Sequence, residues 1–418
     1  MYQAQETVLL TGHIIDSLIL AKVLDTILMM GGSFDLAEVK IGSTRDEPST
    51  ARIVVKAGAD GQLQEILDAI LPHGAVRERT RDCVLAPAPA DGVFPENFYA
   101  TTHLPTEIRV NGRWIEVERI EMDVGIRVAS IANGPIAATI PMGEVRAGDQ
   151  IVTGRDGIRV TPLERPEERD VFGFMQAQVS AERPHVHIIA DVARRMEAIQ
   201  QQRRTTVGPA RPKVLLAGGP AIIHAGGREA LTWLIDHDFI HVLFAGNALA
   251  AHDMEAHLFG TSLGYRLAAG QAMPHGHENH LRTINRIREI GSIEQAVRSG
   301  LISSGIMAAC VRHGVQVVLA GTIRDDGPLP GVETDSVKAQ AAMRAVLPDV
   351  RLALLVASTL HAVATGNMLP ATIPTVCVDI SPAVPTKLAD RGSFQAVGLV
   401  MDAASFLREL ARELGWKP

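Results

Sequence analysis

The decapeptide Gly218-Gly219-Pro220-Ala221-Ile222-Ile223-His224-Ala225-Gly226-Gly227 follows an apolar run, Lys213 to Ala217, and precedes a helical period. Glycines there would let backbone amides approach a phosphate, and a helix N-terminus would add partial positive charge. The spacing is not G-x-G-x-x-G and no Gly-Lys-Ser/Thr follows. The ordinary dinucleotide fingerprint and the Walker A loop are therefore both absent. The plainer alternative is a tight strand-to-helix turn. Other apolar runs end in a similar way, at Ala245-Gly246-Asn247-Ala248 and at Ala320-Gly321-Thr322-Ile323-Arg324-Asp325-Asp326-Gly327-Pro328. Two more end at Ser358-Thr359-Leu360-His361 and at Val378-Asp379-Ile380-Ser381-Pro382. Small and acidic residues at successive strand ends make a polar crevice, and Asp379 at such an end suits ribose hydroxyls. Asp and Gly are common in any loop, but the set together points to a dinucleotide.

One histidine cluster stands out, His275-Gly276-His277-Glu278-Asn279-His280. It could ligate zinc or iron, yet no carboxylate at the expected spacing completes a hydrolytic centre. The reading preferred is a loop that gives one histidine to a site, with Asn279 as N-cap of a helix from Leu281 to Ile290. No catalytic metal is expected. Nucleophilic hydrolysis is disfavoured, since G-x-S-x-G is missing and no Cys pairs with a His by spacing. Arg282, Arg286, Lys387 and Arg391 are candidates to hold a carboxylate, against the usual fate of such residues as solvated surface charge.

The elements that must position these residues follow from periodicity. From Lys213 onward, short apolar strands alternate with helices: Lys213–Ala217, Ile240–Ala245, Val315–Ala320, Arg351–Ala357, Thr375–Ile380 and Ala396–Met401. Near-continuous apolar strands suit a parallel sheet covered on both faces, so residues 212–418 read as a doubly wound α/β dinucleotide-binding domain. Residues 1–82 read as β-α-β-β-α-β, the order of a ferredoxin-like α+β domain, with a helix cap at Asp16-Ser17 and a turn at Asp46-Glu47-Pro48. In 83–165 the helical period disappears and a small all-β module is expected, including a hairpin about Asn111-Gly112. Residues 166–211 read as a charged helical connector.

Composition narrows the classes of function. Forty basic against 47 acidic residues give a net charge of −7, with no dense basic block, so nucleic-acid and membrane partners are not expected. Three cysteines, Cys83, Cys310 and Cys377, are too scattered for a disulfide framework. Aromatics at 4% argue against stacking platforms for bases or sugars. The start Met-Tyr-Gln-Ala-Gln-Glu lacks a signal peptide's pattern, and a reduced, cytoplasmic, soluble protein is expected.

Longer motifs carry a resemblance. Thr11-Gly12-His13-Ile14-Ile15-Asp16-Ser17 and Phe98-Tyr99-Ala100-Thr101-Thr102-His103-Leu104-Pro105-Thr106-Glu107 look like the conserved region of lysine–oxoglutarate reductase/saccharopine dehydrogenase. The α/β part resembles the archaeal-type ornithine cyclodeaminase family, also found as the C-terminal part of cyanobacterial arginine dihydrolases. Its carrying segments are Gly219-Pro220-Ala221 with His224, Ala245 to Ala248, and Phe259-Gly260-Thr261-Ser262-Leu263-Gly264. Asn279-His280-Leu281-Arg282 with Ile284-Asn285-Arg286, Arg324 to Pro330, and Lys387 to Gly392 complete them.

The resemblance implies NAD as cofactor and conversion of ornithine to proline with release of ammonia. The chain opens directly at the shared region, which implies likeness to the single-function members. A small-molecule amino-acid substrate and self-association into a homo-oligomer are expected. For the cofactor we expect Gly218, Gly219, Pro220, Ala221, Gly246, Asn247, Ala248, Gly321, Thr322, Asp379, Ser381 and Gly392. For the substrate we expect Arg282, Asn285 and Lys387, and for proton transfer Asp325 or Asp326 with His280. Two rivals share some of these features: an opine- or saccharopine-type dehydrogenase with net turnover of NAD, and a sensor that binds without turnover.

Overall fold

The computed structural model describes residues 4–15, 17–44, 47–78, 81–131, 134–162, 185–208, 210–262, 265–266, 278–323, 325, 327–390 and 396–417. The chain divides into two compact units. One comprises Met1–Phe174 with Asn367–Thr372, the other Met175–Gly366 with Ile373–Pro418.

The first unit begins with β1 (Ala4–Gly12), α1 (Ile19–Met29), β2 (Ser33–Lys40), β3 (Ser49–Ala57), α2 (Asp60–Ile70) and β4 (Val76–Arg77). Their sheet order is β2-β3-β1-β4 with every pairing antiparallel, which is the ferredoxin-like arrangement. In β3 every second residue, Ser49 through Ala57, is buried, the two-residue period of a strand with one face against helices. Helices α1 and α2 meet it with Val23, Ile27, Leu63, Ile66 and Ile70. Asp16, expected as a cap, lies outside the described residues, and so does Asp46 of the expected turn. The residue before α1 is Leu18, at φ 59°.

Seven strands then form one sheet: β5 (Val84–Pro87), β6 (Thr106–Val110), β7 (Arg113–Glu118), β8 (Gly125–Ile131), β9 (Gly134–Ile140), β10 (Gln150–Thr153) and β11 (Ile158–Val160). Asn111 and Gly112 both take positive φ, 51° and 76°, as a two-residue type I′ turn between β6 and β7 requires. The segment Asn367–Thr372 joins this unit by hydrogen bonds. Met122 N donates to Asn367 O, Ala371 N to His103 O, and His103 Nδ1 lies 2.9 Å from Leu369 O.

The second unit opens with α3 (His185–Thr205). Its Ile189, Val192, Met196 and Ile199 sit in the main core, so this part of the expected connector is a wall of the α/β unit. Residues 166–184 of that connector lie outside the described residues. There follow β12 (Lys213–Gly218), α4 (Ala221–His224), α5 (Arg228–Asp236), β13 (Val242–Gly246), α6 (Asn247–Phe259), β14 (Thr261–Ser262), β15 (Tyr265–Arg266) and α7 (Asn279–Ile290). Beyond them lie α8 (Ile293–Arg298), α9 (Ile306–His313), β16 (Gln316–Ala320), β17 (Val332–Glu333), α10 (Ser336–Val346), β18 (Val350–Val356) and α11 (Thr359–Met368). The unit ends with β19 (Thr375–Asp379), α12 (Ala383–Asp390), β20 (Ala396–Val400) and α13 (Ala403–Glu413).

The main sheet is wholly parallel in the order β17-β16-β13-β12-β18-β19-β20. Strand order reverses between β12 and β18, the topological switch point of a doubly wound fold. Val214, Leu215, Leu216 and Ala217 are each 0% exposed, because helices cover both faces of the central strand.

Candidate active site

The glycine turn after β12 closes against the end of β18. Gly219 N donates to Val356 O at 2.9 Å. A Cβ on Gly219 would fall 1.7 Å from Ala357 O, so no other residue fits there without moving backbone. Ala357 itself holds φ 51°, a left-handed conformation costly for a residue with a Cβ. Across the neighbouring strand, a Cβ on Gly246 would lie 3.2 Å from His361 Cε1. His361, in the first turn of α11, therefore reaches over the switch point from β18 toward the end of β13. Its Nδ1 is 3.3 Å from Ser358 Oγ. Burial lowers its pKa, and the charge of Asp325 opposes that shift. The tetrapeptide Ser358 to His361 was visible as a strand end, but His361 was not among the expected site residues. Its signal is positional, the first helical turn after the strand at which the order reverses.

The expected cofactor residues Gly218, Gly219, Pro220, Ala221, Gly246, Asn247 and Ala248 come together at the ends of the adjacent strands β12 and β13. Gly321 and Thr322 stand at the end of the next strand, β16. Asp325 turns back on this loop, its carboxylate accepting from Thr322 N at 2.8 Å and Thr322 Oγ1 at 3.1 Å. Asn247, 4% exposed, spends its amide on the same segment: Nδ2 donates to Gly327 O and Oδ1 accepts from Leu329 N. It shapes the crevice wall by pinning a loop. Asp379 and Ser381 end β19, on the far side of β18, and Asp379 Oδ1 accepts from Ser381 N at 2.8 Å. Asp379 thus closes its own turn two strands from the glycine loop. Asp326, Gly392, Arg391, His275 and His277 lie outside the described residues.

The substrate candidates are dispersed. Arg282, Asn285 and Arg286 occupy the exposed face of α7, whose Thr283, Ile284 and Ile287 face the core. Arg282 is paired with Glu278 at 2.5 Å, and its side chain is 63% exposed. Lys387 is exposed on α12. Helix α7 begins at Asn279 with Glu278 in the capping position, two residues earlier than its periodicity suggested. Asn279 is therefore the first residue of the helix rather than its cap, and its Nδ2 donates to Thr261 Oγ1 at 2.9 Å.

Beside the glycine turn lies a row of histidines from three helices. The rings of His224 (α4) and His252 (α6) meet edge-on at 4.8 Å, and those of His252 and His280 (α7) stand 5.9 Å apart. His224 Nδ1 is 2.7 Å from Ser262 Oγ. Burial first, then the nearby His252, lowers the His224 pKa to about 4. Among the described residues no group of three or more His, Cys, Asp or Glu is arranged to hold a metal.

A doubly wound sheet with a glycine turn pressed against its switch point defines a dinucleotide-binding α/β unit. Residues 190–410 match the family described as arginine dihydrolase ArgZ-like, C-terminal, Rossmann fold, and 105–189 match its first C-terminal region. Residues 5–104 match the LOR/SDH bifunctional enzyme conserved region. An ornithine cyclodeaminase of Methanopyrus kandleri is 48% identical over 415 residues, 99% of this chain and 98% of that protein. The apo crystal structure of ArgZ, an arginine dihydrolase from the ornithine–ammonia cycle in cyanobacteria, is similar with TM-score 0.82 and 34% identity. That match covers 98% of this chain and 58% of ArgZ. The ternary complex of AgrE with ornithine and NAD+ is similar with TM-score 0.52 and 39% identity, over 98% of this chain and 57% of AgrE. The chain belongs to the ArgZ-like family, alongside the archaeal ornithine cyclodeaminases.

Proposed function

We propose that the chain is an NAD-dependent ornithine cyclodeaminase, which converts L-ornithine to L-proline and ammonia. The observation that carries this reading is the 48% identity to an ornithine cyclodeaminase across nearly the whole of both chains. The crevice supports NAD in its own right, since the glycine turn that closes on Ala357 O lies at the switch point of the parallel sheet, where a doubly wound fold holds its ligand. Bound NAD+ supplies a reversible hydride acceptor, which makes the overall reaction redox-neutral.

The chain's own residues bind, orient and move protons. Backbone of Gly218 to Ala221 and of Gly246 to Ala248 is assigned to the dinucleotide, with Gly321, Thr322, Asp379 and Ser381 at the flanking strand ends. His361 is assigned to hold a proton at Nε2. Burial favours its neutral form while Asp325 steadies the charged one, as a group that both accepts and returns a proton requires. His280 is the second proton-transfer candidate. Lys387 is preferred over Arg282 for the α-carboxylate of ornithine, because Arg282 is already engaged by Glu278. A clamped carboxylate fixes the α-carbon for hydride removal, whereas the δ-carbon sits on a flexible tail.

The same reading makes the chain a lyase of arginine and ornithine metabolism leading to proline, working in the cytoplasm as a homo-oligomer. No helix among the described residues is long and apolar enough to cross a membrane.

Ornithine labelled with heavy nitrogen at the α-amine, incubated with catalytic NAD+, tests the proposal. The expected products are labelled ammonia and unlabelled proline, with no build-up of NADH. Labelled proline would move the oxidation to the δ-carbon. Steady accumulation of NADH would favour a dehydrogenase, and binding without turnover a sensor.

A further inference from the structure

Glu255 is 0% exposed on α6, a helix buried on nearly every side. Its hydrogen bonds have a definite direction. Asn279 Nδ2 can only donate, so Thr261 Oγ1 accepts from it at 2.9 Å. The Thr261 hydroxyl proton is then free to go to Glu255 Oε1, 2.8 Å away. The other oxygen, Oε2, lies 2.7 Å from His252 Nδ1. A carboxylate accepts only, so the His252 proton is on Nδ1 and its Nε2 is left for other work.

Two arms therefore leave the same carboxylate and arrive at the same place. One runs through Thr261 to Asn279, the residue directly before His280 and the first of α7. The other runs through the His252 ring, 5.9 Å from the His280 ring. We infer that Glu255 is a positioning residue for His280, fixing its backbone through Thr261 and Asn279 and its ring environment through His252. This rests on the cyclodeaminase reading, in which His280 moves a proton. A buried carboxylate holding an imidazole by Nδ1 is a recurring way to set tautomer and aim.

The test is Glu255→Gln in the full chain. A glutamine end has one oxygen and one NH2, so it cannot accept from both Thr261 and His252. The expected result is a fall in kcat of about 100-fold, with KM for ornithine and Kd for NAD+ within about threefold of wild type. His280→Gln should lose at least as much, and the double variant should lose no more than His280→Gln alone. An unchanged kcat in Glu255→Gln, or losses that multiply in the double variant, would overturn the inference. Should Glu255→Gln not fold, Thr261→Val cuts one arm and leaves the carboxylate and His252 paired. It should lower kcat by about tenfold, and wild-type kcat there would equally overturn the inference. Nitrogen-15 NMR of the histidine rings reads the geometry without turnover. Wild type should show His252 protonated at Nδ1 and Glu255→Gln should not; a wild-type proton on Nε2 alone would sink the proposal. Failure of the cyclodeaminase reading is a separate result, seen as no proline from the wild-type chain.

Discussion

The crevice at the switch point and the histidine row beside it are built by different means. The crevice is made of backbone: Gly219 against Ala357 O, Gly246 under His361, and a left-handed Ala357. The row is made of side chains, His224, His252 and His280, with Ser262 bonded to His224, Glu255 to His252, and Thr261 and Asn279 linked in turn to Glu255. A backbone site is constrained by the absence of a Cβ, which residue type reports directly. A side-chain site is constrained by who meets whom, which residue type does not report. The first tolerates almost no substitution at its centre, while the second should degrade by steps.

The sharpest break in that comparison is Gly219→Val. Its branched side chain must displace the Ala357 carbonyl, so calorimetry should detect no NAD+ binding, while circular dichroism retains the signal of the folded first unit. Affinity near that of wild type would place the cofactor elsewhere. Next is His361→Asn, which keeps a polar group but removes the proton carrier. We expect kcat to fall by about 100-fold or more with NAD+ affinity retained, and an unaltered kcat would leave proton transfer to the histidine row.

A smaller effect separates the two cations. Lys387→Ala should raise KM for ornithine by about tenfold, as loss of a charge-assisted hydrogen bond does. Arg282→Ala, which removes an exposed helical pair, should change KM and stability little, with a stability change of about 0.5 kcal/mol or less. The reverse ranking would transfer the carboxylate to α7.

The row should also leave a signature in acid. His224 titrates near 6.5 when unfolded and at about 4 in the fold, so between these values the unfolded chain binds the extra proton. Stability should therefore be undiminished by this group above pH 6.5 and fall as pH drops toward 4, by about 2 kcal/mol after allowance for its partial exposure. Thermal melts of wild type and His224→Gln should converge as the pH is lowered. A gap constant from pH 7 to pH 4 would contradict it. Smallest of all, dialysis against a chelator should leave activity intact, whereas a stoichiometric metal lost together with activity would reopen the histidine-rich loop as a ligand set.

Much of the fold was legible because strands and glycines act locally. The expected strands Lys213–Ala217, Thr375–Ile380 and Ala396–Met401 fall within one residue of β12, β19 and β20. Asn111-Gly112 named its own turn. Gly219 and Gly246 were legible for the same reason. His361 was not, because its reach over the switch point depends on strand order, which no single segment carries. His252 and Glu255 carry one sequence signal: they lie three apart on a helix buried on nearly all sides, where an unpaired titratable group would not be tolerated. Arg282 and Asn285 show the opposite limit, since a motif reports residue type and not the side of the helix on which it lies. They sit within a well-matched motif, yet face outward from α7 because Thr283, Ile284 and Ile287 claim its inner stripe.

The second visit of the chain to the first unit also fixes an order of events during synthesis. Residues up to Phe174 leave the ribosome early and could otherwise fold at once as an independent piece. Yet Met122 N, the carbonyl of His103 and the Nδ1 of its buried ring take their partners from Asn367, Ala371 and Leu369. Those partners emerge only after most of the α/β unit has been made. The nascent first unit must therefore wait, nearly complete, with its last hydrogen bonds open until the chain returns to close them.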